Sequence, residues 1–169
     1  FCCCGMAMAQ EPPRAELFGG YSYQRFEEIN LHGWNAAIMG NITSWFAIGA
    51  DFTGSYNNFQ RLGVEAGVNM HSAMFGPQFS LWNNRVRTFG HALVGVARCN
   101  AIAKMDPAIR FATTSAALMF GGGLDIRLSK NFAARVFQAD YHTAWAEHEG
   151  ERRRGDGLRV ATGLVILFH

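Results

Sequence analysis

Residues 161–168 carry the strongest fold signal of this 169-residue chain and read Ala161-Thr162-Gly163-Leu164-Val165-Ile166-Leu167-Phe168. Large apolar side chains at Leu164, Ile166 and Phe168 point to one face while Gly163 and Val165 point to the other, and a period of two predicts a β-strand. A strand with one wet face needs polar residues on that face, whereas this segment offers none. Large apolar residues on one face and small filler on the other are typical of a strand with lipid outside it. The segment therefore predicts the last strand of a closed membrane barrel.

The composition limits the class of protein to which this chain can belong. The chain is 49% hydrophobic and 17% charged, which is typical of one folded domain. A net charge of +2 gives no strong field for a nucleic-acid partner, and we predict none. The sequence contains no run of roughly 18 to 20 apolar residues, the length of a membrane helix, so any membrane crossing must use strands.

The first residues are typical of a secretory signal peptide. Residues 1–9 are apolar and close on Ala7-Met8-Ala9, a small-x-small cleavage pattern. We predict a signal-peptide remnant at 1–9 and a single outer-membrane barrel domain at 10–169. Three of the four cysteines would leave with the signal, and Cys99 would remain as a small structural residue. A lipidated Cys3 or Cys4 is the alternative for this region.

Eight strand-like runs separated by polar turns predict an antiparallel up-and-down meander. The predicted strands are residues 15–26, 32–42, 45–56, 68–82, 87–100, 113–128, 132–143 and 158–168. Short turns at 43–44, 83–85 and 129–131 alternate with long polar links at 57–67, 101–112 and 144–157. Membrane barrels place short turns in the periplasm and long loops outside, so both termini are expected in the periplasm.

The alternation within each strand predicts which side chains face the lumen. Charged residues predicted inside are Glu16, Asp51, Arg98, Asp125, Arg127, Arg135 and Asp140. A bulge near Val136 and Phe137 is needed to bring Arg135 and Asp140 to the same side, and Pro77 predicts a bulge or weakened pairing. The interior of an eight-stranded barrel is just filled by side chains, so these charges are expected to pair and to close the lumen. The pattern predicts no catalytic residue, cofactor or metal site, because the six histidines show no ligand spacing.

Several segments together resemble the small outer-membrane β-barrel family of the OmpA-like transmembrane type. They are ELFGGYSY at 16–23, GWNA at 33–36, WFAIGADFTG at 45–54, FGPQF at 75–79, HALVGVAR at 91–98, GGGLDI at 121–126 and RVFQADY at 135–141. The end of the chain also resembles the insertion signal of such barrels, with Gly163, Ile166 and Phe168 at the matching positions. The resemblance implies an integral protein of the bacterial outer membrane, whose partners are outer-membrane lipid and the barrel-assembly machinery.

The function expected from these features is a non-enzymatic scaffold whose external loops form a contact surface. The basic run Arg152-Arg153-Arg154 is the first candidate for a surface ligand, and a merely solvated loop is the alternative. A second class is an outer-membrane barrel enzyme acting on lipid, with His142, Glu147, His148 and Glu149 as candidates by location only. A third is a soluble lipocalin-like carrier, which would require an apolar interior.

Overall fold

The computed structural model describes residues 13–26, 29–61, 64–104, 109–148 and 151–169. The predicted signal peptide at 1–9 lies outside these residues. The strands are β1 Ala15–Phe26, β2 Ile29–Asn41, β3 Phe46–Arg61, β4 Val64–Asn83, β5 Val86–Lys104, β6 Ile109–Arg127, β7 Phe132–His148 and β8 Glu151–Phe168. Each strand pairs antiparallel with the next, and β1 pairs with β8 to close the barrel. None of the described residues belongs to a helix long and apolar enough to cross a membrane.

Three hairpins are longer than the sequence predicts. The links expected at 57–67, 101–112 and 144–157 are mostly paired strand, because pairing continues to Arg61↔Val64, Ala103↔Ile109 and His148↔Glu151. The prediction of long loops was wrong here for a physical reason. Above the lipid both faces of a strand are wet, so polar residues on both faces are compatible with a continuous ladder.

The opposite end of the barrel, here called the turn rim, consists of the short connections at 42–45, 84–85 and 128–131. The turn between β4 and β5 has only two residues, and Asn84 adopts a φ of 53°, a left-handed conformation that asparagine tolerates well. The first and last described residues join this rim, since the Arg14 amide donates to the Phe168 carbonyl at 2.7 Å.

Two predicted irregularities have different outcomes. The β7 ladder shifts register between Arg135 and Gln138, and both Val136 and Phe137 are exposed on the outer wall, so the predicted bulge is confirmed. Around Pro77 the β4–β5 ladder is interrupted between Phe75↔Val94 and Gln78↔His91 without any shift of register. Proline lacks the amide that the ladder needs, which weakens the pairing there without a bulge.

The outer wall exposes large apolar side chains along every strand. They include Leu17, Trp34, Ile38, Phe52, Phe75, Val94, Phe120, Phe137, Leu158 and Leu164. A small soluble protein would not expose such a continuous apolar surface, because its contact with water is unfavourable. The residues with the opposite parity point into the lumen, and many of them are buried polar groups. This inverted arrangement is that of a barrel immersed in lipid.

Glycines allow the sheet to close at the β1–β8 seam. Gly20 pairs with Gly163, and a Cβ atom added to either glycine would overlap the backbone of the other strand. Gly19, one residue away, has open space where its Cβ would lie. The close approach is therefore specific to the pair that faces the lumen.

Candidate functional site

The lumen holds a continuous network of ion pairs and hydrogen bonds. Near the turn rim, Arg87 of β5 is fully buried and pairs with Glu16 of β1 and with Asp125 of β6. Arg135 of β7 approaches the same Asp125, with Nε 2.8 Å from Oδ1. Its guanidinium also lies 4.2 Å from the ring centroids of both Phe18 and Phe89, a cation–π arrangement.

The network continues toward the long hairpins through one amide side chain. Gln138 accepts a hydrogen bond from Arg135 Nη1 at 2.6 Å and donates to Asp140 at 2.7 Å. Arg159 of β8 pairs with Asp140, with Nη2 2.7 Å from Oδ2, and with Asp51 of β3.

His91 and Asn35 complete the acidic end of this network. His91 Nε2 lies 2.8 Å from Asp140 Oδ1 and donates to that carboxylate. The Asn35 amide donates to Asp51 at 3.0 Å. The four carboxylates and three arginines thus join strands β1, β3, β5, β6, β7 and β8 through the centre of the barrel, and Asn35 adds β2.

The charges of this network are paired with one another. Each of the four carboxylates has at least one guanidinium partner, and a buried charge needs such a partner to offset its desolvation. Among the side chains that the structure describes, no group of three or more His, Cys, Asp or Glu could hold a metal ion. What the network does is fill the middle of the lumen and bind the strands to one another.

The structure places most of the predicted interior charges inside and corrects one, Arg98. Glu16, Asp51, Asp125, Arg135 and Asp140 are buried in the lumen. Arg98, predicted inside, is exposed, because the lumen-facing residues of β5 are the odd-numbered ones such as Leu93 and Ala97. Arg127 points inward but is only half-buried, at the turn rim, where its guanidinium lies 4.2 Å from the Trp82 ring centroid.

Two central arginines, Arg87 and Arg159, were not predicted to lie inside. Arg159 could have been found by parity, because it lies two residues before Ala161 and four before Gly163, on the face of β8 opposite Leu164. Parity did not decide Arg87, because β5 has large apolar residues at odd positions such as Leu93 and at even positions such as Val94.

Above the network, toward the long hairpins, the lumen opens into an apolar cavity of about 700 Å³. Its walls include Leu31, Met70 and Ala97, with Cys99 among the more polar lining residues. His142, a candidate for lipid chemistry, lies at this cavity as a buried side chain that accepts a hydrogen bond from Gln24. The side chains of the other candidates, at 147–149, lie outside the described ones. The expectation of a lumen filled along its whole length was therefore wrong in this upper part.

The basic run lies on the β8 side of the β7–β8 hairpin. Arg154 has a side chain that is 58% exposed, and its guanidinium contacts Asp156 at 2.9 Å and the Tyr141 hydroxyl at 3.0 Å. Hydrogen bonds to Asp156 and then to Tyr141 raise the pKa of Arg154, so it stays charged. Arg152 and Arg153 belong to the paired strand, and their side chains lie outside the described ones.

The three residues of the predicted insertion signal occupy different environments. Gly163 lies at the β1–β8 seam, Ile166 pairs with Leu17 and Phe132, and Phe168 is exposed on the outer wall. Their recognition by the barrel-assembly machinery stays a prediction.

Comparison with solved structures matches this barrel over nearly its whole length. Ail, the attachment invasion locus protein of Yersinia pestis, is 18% identical, with a TM-score of 0.65 over 93% of this chain and 99% of that one. Ail in complex with the heparin analogue sucrose octasulfate gives a TM-score of 0.63 at 17% identity, covering 91% and 99%. Neisserial surface protein A gives 0.57 at 12% identity, covering 91% and 96%.

The chain has the fold of an integral outer-membrane β-barrel. The predicted fold class, an eight-stranded antiparallel up-and-down barrel, is confirmed. Neither a protein-family model nor a curated protein matches the sequence.

Proposed function

We propose that this protein is a non-enzymatic scaffold of the bacterial outer membrane that holds three long β-hairpins outside the cell as a contact surface. The observation that carries the proposal is the length of the β3–β4, β5–β6 and β7–β8 ladders. Strand β7 continues for seven residues beyond Tyr141 to His148, which is about 24 Å at the usual strand rise. A paired ladder of this length is longer than a membrane crossing needs, and its outer end is suited to binding at a distance from the membrane.

The contact chemistry that we propose is an acidic saccharide at Arg152, Arg153 and Arg154. Guanidinium groups bind sulfate, phosphate and carboxylate groups through paired hydrogen bonds. The exposed Arg154 is held by Asp156 and Tyr141 at the base of the basic run. Ail, which has the same fold, is known in complex with a heparin analogue, and this likeness in fold supports testing the same ligand class here.

Binding to immobilised heparin by the refolded barrel tests this proposal. Replacement of all three arginines by serine should reduce binding at least tenfold, and Arg154→Ser alone should reduce it less. Arg98→Ser is the matched control, because Arg98 is also exposed but lies on β5. Equal losses in the Arg98 and Arg154 variants would mean that net charge, and no specific surface, is responsible.

Two observations favour the scaffold over the other function classes. An enzyme acting on lipid would need a reactive group at the rim, whereas His142 is buried and engaged with Gln24. A soluble carrier would not expose Phe52, Phe75 and Phe120 to water. Fractionation with outer membranes, faster migration on SDS gels before heating, and no release of fatty acid from lipopolysaccharide or phospholipid are the results expected of the scaffold. Release of fatty acid that is lost in His142→Ala would establish the enzyme instead.

A further inference from the structure

The exposed Lys and Arg side chains that the structure describes on the turn rim have no exposed Asp or Glu side chain beside them. The Lys and Arg side chains on its surface are Arg14, Arg85 and Lys130, with Arg127 half-buried beside them. The described carboxylate side chains nearest this end, Glu16 and Asp125, are both buried and paired with Arg87. Within the part of the chain that the structure describes, every exposed Asp, Glu, Lys or Arg side chain on this rim is therefore cationic.

Three of these cations, Arg85, Arg127 and Lys130, line one groove between two adjacent turns. The Arg127 amide donates to the Arg85 carbonyl at 2.7 Å, which ties the β6 end to the β4–β5 turn. Arg85 and Lys130 line an open groove of about 1510 Å³ between that turn and the β6–β7 turn. The same groove is lined on its lipid side by Leu81 and Leu128, which are 73% and 63% exposed.

We propose that this groove is a binding site for an anionic phospholipid of the periplasmic leaflet. Cations at the level of the headgroups and exposed leucines directly below them match a phosphate diester and the acyl chains attached to it. A neutral or zwitterionic headgroup would leave the positive charge of Arg85 and Lys130 without a net counter-charge. The site rests on the membrane insertion put forward under the proposed function.

The test is lipid retention by the refolded full chain in nanodiscs of equal parts phosphatidylglycerol and phosphatidylcholine. After detergent extraction, native mass spectrometry counts the lipids that stay bound. The wild type should retain phosphatidylglycerol about tenfold over phosphatidylcholine, since each basic residue near a lipid surface contributes roughly a fewfold preference. Arg85→Gln combined with Lys130→Gln should abolish that preference. Arg14→Gln, on the same rim but outside the groove, should leave it unchanged.

The other outcomes overturn the site in distinguishable ways. Insertion without a preference for phosphatidylglycerol, or equal losses in the Arg14 variant and the double variant, would overturn the lipid site alone. Displacement of the lipid by inorganic phosphate at an equal concentration would show a phosphate site in place of a lipid site. A wild-type chain that did not insert into nanodiscs would overturn the proposed function, and the lipid site with it.

Discussion

Arg159 on β8 and Asp51 on β3 meet across the lumen in a two-pronged ion pair, with Nη1 2.6 Å from Oδ1 and Nη2 3.0 Å from Oδ2. The two strands are not neighbours in the sheet, so this contact spans the barrel and does not follow its ladder. Arg159 also contacts Asp140 and thereby holds two carboxylates that would otherwise be buried as unpaired charges.

Removal of Arg159 should therefore be costly. Arg159→Met should lower the free energy of unfolding by about 3 to 5 kcal/mol, because Asp51 and Asp140 lose their shared guanidinium in a low-dielectric interior. Equilibrium urea unfolding in lipid vesicles, followed by tryptophan fluorescence, measures it. Arg154→Met, which breaks an exposed pair, should leave the unfolding midpoint unchanged. Comparable effects of the two variants would contradict a central role for the lumen network.

A charged residue on the outer wall should weaken folding of the barrel into a membrane. Phe52 is 44% exposed on β3 and faces lipid, so Phe52→Arg should weaken folding into vesicles by about 2 to 4 kcal/mol if it lies near the bilayer centre. Ile166→Arg should act in the same direction at the β8 seam. Phe52→Leu is the conservative control and should fold like the wild type. Normal folding of both Arg variants would show that the assigned facing is wrong.

The network should block the passage of solutes. With Arg87, Arg135 and Arg159 all buried among carboxylates, we expect no flux of sugar-sized molecules into liposomes that contain the protein. Liposome swelling in a sugar solution measures it, and empty liposomes are the reference. Large and stable single-channel steps in planar bilayers would contradict a closed lumen.

The upper cavity gives a test of orientation. Cys99 lines that cavity on the hairpin side of the network, so a membrane-impermeant maleimide added to intact cells should modify it. A cysteine introduced by Asn84→Cys, in the turn between β4 and β5, should be modified only after the outer membrane is permeabilised. Mass spectrometry of the peptides that carry each thiol gives the readout. The reverse pattern would mean that the termini lie outside the cell.

At the β1–β8 seam, a substitution by alanine should destabilise the barrel at Gly163 and have little effect at Gly19. A methyl group at Gly163 would overlap the β1 backbone, so Gly163→Ala should destabilise the barrel by about 1 to 3 kcal/mol. Gly19→Ala meets open space and should have little effect. Urea unfolding distinguishes the two variants. If Gly163→Ala slowed assembly in cells but left the refolded barrel fully stable, its main role would be in the insertion signal.

The number, order and direction of the strands could be predicted from the sequence, because alternating runs separated by polar turns indicate an antiparallel meander. The period of two within each run also indicates which face of the strand meets lipid. The same alternation predicted the bulge at Val136 and Phe137, because Arg135 and Asp140 have opposite parity and can face the lumen together only if a bulge lies between them. It also predicted that Asp51, Asp125, Arg135 and Asp140 face the lumen, where all four are buried. Such features depend on neighbours along one strand, and a local pattern is sufficient to specify them.

The tertiary structure alone decided how the charges pair and how far the strands extend. The partner of Arg159 lies 108 residues away on a strand that it does not touch in the sheet, and no local pattern encodes that distance. The hairpin lengths could not be predicted, because polar residues above the membrane are compatible both with a loop and with a β-ladder that is exposed to solvent on both faces. The groove between Arg85 and Lys130 arises only when sheet pairing brings two separate turns side by side. Closure of the barrel creates the pairing of charges across the lumen, and pairing between neighbouring strands creates the long hairpins and the groove.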